Sequence, residues 1–284
     1  CSQAFVPKGK VWSGVCDRLA SAFARPNHTA FIPYITVGYP SFEATLRVVP
    51  LLAESGCDLV ELGIPFSDPI ADGVTIQKSS FHALQNGVTP KVCLEVAKEL
   101  SQKVRIPLLF MTYFNSIFSY GPEEFCSACA NSGIDGLIIP DLPPEEGSEL
   151  EIITQNHGLD LIYLLAPTST EERIQLVAQK SRGFIYLVSV TGVTGARDSL
   201  PPGLEAFVTR MRKVTATLSV ATGKQSQPLC LGFGISTPQQ ARQIGRIVNG
   251  VIVGSRIIQL MDEDKSLSRV QDFTRQLREA LDES

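Results

Sequence analysis

The sequence predicts a single α/β domain, a (β/α)8 TIM barrel over 1–284, and three observations carry that prediction. Short apolar strands alternate with amphipathic helices eight times, with no composition break to mark a second domain. The strands read as continuous apolar runs, the pattern of a parallel sheet covered on both faces. Eight such units fit within about 250 residues, and 284 are available. A doubly wound open sheet is the alternative, but the early GxGxxG turn of its dinucleotide-binding version is missing.

In chain order, 1–11 is expected to be a flexible N-terminus. An extra helix is expected over 12–24, with Val15, Leu19 and Phe23 on one face. Strand one covers 31–37, although Pro33 withholds a ladder donor. Ser41 caps a helix reaching about residue 55. Strand two covers 58–62, and helices follow its long loop over 75–85 and 90–102. Strand three is 107–112, and Pro122 suits the first turn of the next helix. Strand four is 136–140, followed by a helix starting at Pro143-Pro144-Glu145-Glu146. Strand five is 159–165, then a capped helix with Glu171 and Glu172 in its first turn. Strand six is 184–188, followed by a Gly-rich loop over 189–203 and a helix to about residue 214. Residues 215–227 read as a polar, irregular, flexible insertion before strand seven, 228–232. Strand eight is 250–253, and a final helix covers 266–281.

Composition narrows the functional classes. A net charge of −4 gives no nucleic-acid footprint. No apolar run approaches the roughly 20 residues of a membrane span, and the first sixteen residues lack a signal-peptide block. Seven scattered cysteines, an odd number, fit a reducing compartment rather than a disulfide framework. The expected location is therefore the cytoplasm, or a plastid if the source is a plant. Cys126 and Cys129 form a CxxC, but three residues apart they share a helix face and read as two buried thiols. No metal-ligand cluster is legible.

Chemistry in such a barrel gathers at the C-terminal strand ends. Glu61 stands there inside an apolar run, Leu59-Val60-Glu61-Leu62, where a carboxylate must pair, shift its pKa or work. Its loop adds Asp68 and Asp72. Gly232-Phe233-Gly234 and Gly254-Ser255 either cradle a phosphate at a helix start or simply permit tight turns. The loop with Gly192, Thr194 and Gly195 is either a lid or a plain surface connection. Tyr186, counted with Glu61 and Asp72 among the catalytic candidates, is either a core aromatic or a mouth residue hydrogen-bonding Glu61, depending on strand alternation. His28, His82 and His157 lie away from strand ends and read as surface residues, so acid–base work falls to carboxylates.

The run from Glu61 to Gly73, ELGIPFSDPIADG, resembles the signature of the tryptophan synthase α subunit family. Agreement continues in AFIPYITVGYP over 30–40, in Gly192-Val193-Thr194-Gly195-Ala196, and in GFGIS and GS after strands seven and eight. The resemblance implies retro-aldol cleavage of indole-3-glycerol phosphate to indole and glyceraldehyde 3-phosphate. It implies no cofactor on this chain, with pyridoxal phosphate on a partner β subunit in an α2β2 heterotetramer. Glu61 would shuttle the proton, and Asp72 would accept the indole N–H. Gly195, Gly234, Gly254 and Ser255 would bind phosphate, while Tyr34 and Phe233 would line the indole pocket. Thr194 would close its loop against Asp72. Pro65, Asp68 and Asn115 match positions facing the β subunit. Tyr39 departs from the pattern, standing where many relatives carry Asp. Alternatives are a free-standing lyase that releases indole and a catalytically silent barrel that activates a partner.

Overall fold

The computed structural model describes residues 18–188, 203–223, 226–232 and 234–284. Its strands are β1 (Ala30–Thr36), β2 (Val60–Gly63), β3 (Leu108–Met111), β4 (Gly136–Ile138), β5 (Asp160–Ile162), β6 (Leu164–Leu165), β7 (Ile185–Val188), β8 (Leu229–Gly232) and β9 (Gly250–Val253). Helices α1 to α6 are Arg18–Ser21, Phe42–Glu54, Val74–Gln85, Pro90–Lys103, Phe114–Tyr120 and Pro122–Asn131. Helices α7 to α12 are Ser148–Asn156, Glu171–Lys180, Leu204–Thr222, Pro238–Gly245, Ser255–Glu263 and Ser268–Asp282.

All strand pairs are parallel, and β1 joins β2 on one side and β9 on the other. Nine strands stand where eight are predicted because the fifth breaks at Tyr163. Its N–H turns away to Ser181 Oγ at 3.1 Å, while its carbonyl still accepts from Tyr186 N–H. The half before the break pairs with β4 and the half after it with β7, so the two together fill one place in the ring. The barrel is therefore the predicted eight-unit one.

Alternation along each strand sends every second side chain inward. Ile32, Leu109, Ile138, Ile162, Phe184 and Cys230 fill the interior, while the other faces pack against the helices. Each such buried side chain contributes about 1.5–3 kcal/mol. The lower, N-terminal end is plugged by Leu19 of α1 and by Phe23, whose ring lies 5.9 Å from Phe184. Arg18 ties this plug to Asp135 at 3.2 Å. The helix ends at Ser21, short of the predicted residue 24, and residues 12–17 lie outside the described ones.

Sequence caps hold where a hydroxyl was legible. Ser41 and Thr170 accept the expected first-turn N–H groups, Thr89 does the same for α4, and Thr237 forms a capping box with Gln240. Two further boundaries differ, and one element is added. The stretch from Pro143 forms turns, and α7 starts only at Ser148. Helix α9 continues to Thr222, so most of the stretch read as irregular is helical. The Thr215 and Thr217 hydroxyls return to Met211 and Lys213 carbonyls, which accommodates polar residues on a helix. Gly223 then ends it at φ +69°. Helix α5 is a further element that the sequence reading omits, because it is only seven residues long.

His28 is not a surface residue. Its Nε2 lies 2.8 Å from the buried Asp58 carboxylate, which also accepts from Phe31 N–H at 2.8 Å and from Arg278 at 3.2 Å. Arg25 joins the same carboxylate. This cluster sits at the lower end, where it ties β1 and β2 to α12. Cys126 and Cys129 are buried and unbonded on α6, and burial pushes the Cys126 thiol up to about 12. They are packing residues, as the helix-face spacing predicts.

Candidate active site

Strand β2 positions the first carboxylate. Leu59 points inward, so alternation sends Glu61 inward as well. In register it lies beside Tyr34 of β1 and Leu109 of β3. Glu61 is 0% exposed, and neither carboxyl oxygen has a hydrogen-bond partner among the described residues. Burial alone drives its pKa well above the ordinary glutamate value. Such a site favours the protonated form.

Above it opens a cavity of about 490 Å³. Tyr34, Asp72, Tyr186, Gly234, Gly254 and Ser255 all line it. Glu61 does not reach this wall, which leaves it beneath the cavity rather than on it. Tyr186 points inward and lines the mouth, which decides its orientation. It does not hydrogen-bond Glu61 here, so that expected contact is absent. The charge of Glu61 would act on Tyr186, Tyr34 and Cys230, which places all three around it.

Two glycines exist to admit the tyrosines. A Cβ at Gly63 would strike the Tyr34 hydroxyl, and one at Gly232 would lie 2.5 Å from the Tyr186 hydroxyl. Gly254 has the same use, since a Cβ there would lie 3.2 Å from the Tyr34 ring. Gly234 differs: φ is +68° and nothing lies within 4 Å of its missing side chain. It leaves backbone open beside the cavity. Gly254 is the N-cap of α11 and offers no side-chain cap, so the first N–H groups of that helix remain free for an anion.

Asp72 ends the β2–α3 loop. Burial raises its pKa to about 6, partly offset by a hydrogen bond from the Tyr113 hydroxyl. The same hydroxyl accepts from Ala71 N–H at 3.0 Å. Tyr113 was not singled out in the sequence. Its place two residues beyond β3, at a barrel mouth, is the signal that could have found it. Asp68 is exposed on this loop, and Asn115 is exposed on α5. Pro65 is buried, so it can shape that surface but does not form it. Exposed apolar side chains accompany them: Ile70 at 87%, Phe118 at 68%, and Val74. Tyr39 hydrogen-bonds Asp262 of α11 and meets the His82 ring edge-on at 5.3 Å, a contact between units. Thr194, Gly195 and Phe233 lie outside the described residues.

A parallel barrel with two raised carboxylates and an open helix start at its upper mouth defines an acid–base enzyme acting on an anionic substrate. A family model described as the tryptophan synthase alpha chain matches residues 20–282. The alpha chain of Dehalococcoides mccartyi is 57% identical over 266 residues, covering 94% of this chain and 100% of that one. That of Geobacter sulfurreducens is 43% identical, with coverage of 93% and 99%. Among solved structures, Mycobacterium tuberculosis tryptophan synthase superposes with a TM-score of 0.84 at 35% identity, covering 93% of this chain and 98% of that one. The chain belongs to the tryptophan synthase alpha chain family.

Proposed function

We propose that this chain cleaves indole-3-glycerol phosphate to indole and glyceraldehyde 3-phosphate as the α subunit of tryptophan synthase. It is a lyase of tryptophan biosynthesis, it carries no cofactor of its own, and its partner β subunit holds the pyridoxal phosphate. The observation that carries the mechanism is Glu61, buried with no hydrogen-bond partner among the described residues beneath a cavity bordered by Asp72.

Glu61 starts protonated and turns toward the substrate. It donates its proton to indole C3, and the ring nitrogen takes up positive charge. Asp72, ionised, accepts the indole N–H bond and stabilises that charge. The glycerol hydroxyl then returns a proton to Glu61 as the bond from its carbon to indole C3 breaks. The bonding electrons restore the indole, and the hydroxyl carbon becomes the aldehyde. Protons balance, and Glu61 ends as it began. Its raised pKa suits both transfers. Tyr34, Tyr186 and Phe233 shape the indole pocket, with Tyr186 beside Glu61. Gly195, Gly234, Gly254 and Ser255 hold the phosphate, and Thr194 closes its loop over the mouth. Pro65, Asp68 and Asn115 belong to the partner side.

No helix among the described residues is long and apolar enough to cross a membrane, and we place the protein in the cytoplasm. Indole release measured on the isolated chain and with a β subunit tests the proposal. Cleavage that rises strongly with the partner supports it. High unassisted turnover favours a free-standing lyase, and retained wild-type turnover in Glu61→Gln overturns the mechanism.

A further inference from the structure

Tyr113 is buried two residues beyond β3 and is the N-cap of α5. Its ring stacks on Phe66 near the start of the β2–α3 loop, with centroids 4.9 Å apart and planes at 17°. Its hydroxyl reaches the far end of the same loop, accepting from Ala71 N–H and standing beside Asp72, whose ionised form it favours. One side chain thus grips both ends of a loop whose tip carries the exposed Asp68 and Ile70. Other hydrogen bonds near Asp72 are local, from Asp72 N–H to Pro69 O at 3.0 Å and from Gln77 Nε2 to Asp72 O at 2.8 Å. They leave the carboxylate itself unaddressed. The grip is seated in a third unit as well, because Phe114 N–H donates to Asp141 Oδ1 at 2.9 Å beyond β4.

We propose that Tyr113 is a positioning residue for the cleavage reaction, holding the Asp72 carboxylate in place and coupling it to α5. This rests on the role of Asp72 given above. The phenol is a dependable donor, since burial and the Asp72 charge hold its titration far above neutral pH. Asp72 also acts on Tyr34 of β1 and Tyr186 of β7, both of which Glu61 of β2 reaches as well; Arg173 of α8 lines the same cavity, and Asp141 faces Tyr113 itself. Burial holds Glu61, Tyr34 and Tyr186 toward their neutral forms, so the Tyr113 bond is the feature that favours ionised Asp72. Losing it makes Asp72 harder to ionise.

Tyr113→Phe keeps the stacked ring and removes only the hydroxyl. In the α–β complex and in the chain alone, kcat for indole-3-glycerol phosphate cleavage should fall about tenfold near pH 6, the scale of one charge-assisted hydrogen bond. KM should change less. The acidic limb of the pH profile should move to higher pH, so that activity recovers as pH rises. In an Asp72→Asn background, adding Tyr113→Phe should cost little more, because the group it acts through has lost its charge. An unshifted acidic limb, or a full additional loss in that background, would overturn the proposal and mark Tyr113 as structural packing. If Asp72→Asn alone kept wild-type kcat, the role of Asp72 would fail instead, and the two failures are distinguishable.

Discussion

Glu61 occupies a position that costs stability. Its folded pKa lies above its unfolded value, so the unfolded chain releases the proton more readily. The penalty is absent below about pH 4, where both states are protonated, and grows as pH rises toward neutrality. Glu61→Gln should therefore stabilise the fold at pH 7 by on the order of 1–3 kcal/mol, with the gain fading at acid pH. Thermal unfolding across pH checks this, and an equal gain at both ends would contradict it. The same variant should lose about 10²–10⁴-fold in kcat, the range for removed acid–base catalysis. Asp72→Asn should cost less, roughly 10–100-fold, because an amide oxygen still accepts the indole N–H without offsetting charge. Wild-type activity should fall as pH drops through about 6, where Asp72 takes up a proton. Asp72→Asn should lack that limb.

At the scale of elements, strand ends matter through what their glycines make room for. Gly232→Ala would drive a methyl group into the Tyr186 hydroxyl and so displace that ring from the cavity wall. Reduced kcat in a folded protein is the expected result, read by cleavage rate beside circular dichroism. Gly234→Ala meets no neighbour but must hold φ at +68°, which costs about 1 kcal/mol and disturbs the open backbone beside the anion site. Its effect should appear mainly in KM. The lower end of the barrel answers differently. Asp58→Ala strands Arg278 and the Phe31 N–H, and breaking a buried ion pair costs about 3–5 kcal/mol. Denaturant titration should show that loss, with kcat per folded molecule unchanged.

Across the whole molecule, the acid–base site and the exposed Ile70, Val74 and Phe118 share one end of the barrel, and the ion cluster occupies the other. Helix α5 and the β2–α3 loop join the carboxylate to the surface through Tyr113. A partner bound at this surface would have a short physical path to Asp72. Asp68→Ala is expected to reduce activation by the β subunit several-fold while leaving the cleavage rate of the isolated chain intact. Unchanged activation, measured by titrating β subunit into a fixed amount of the variant, would remove this loop from the path. Phe118→Asp should weaken complex formation, since it places a charge on apolar surface exposed on α5.

The sequence by itself determined the barrel, because eight apolar runs separated by amphipathic helices leave few other ways to bury both sheet faces. It also exposed Glu61, an acid in an apolar run, and the family signature around it. These are local signals, readable from neighbours in the chain. What needed the tertiary structure depends on residues far apart. The inward direction of Tyr186 follows from strand alternation and register. The use of Gly63, Gly232 and Gly254 lies in tyrosines on the neighbouring strands of the ring. The break at Tyr163 depends on Ser181, and His28 is half-buried against the distant Asp58. Tyr113 acquires meaning when Asp72, 41 positions earlier in the chain, comes within reach of its hydroxyl. Local pattern fixes which residues form strands and helices, whereas closure of the ring decides which side chains meet.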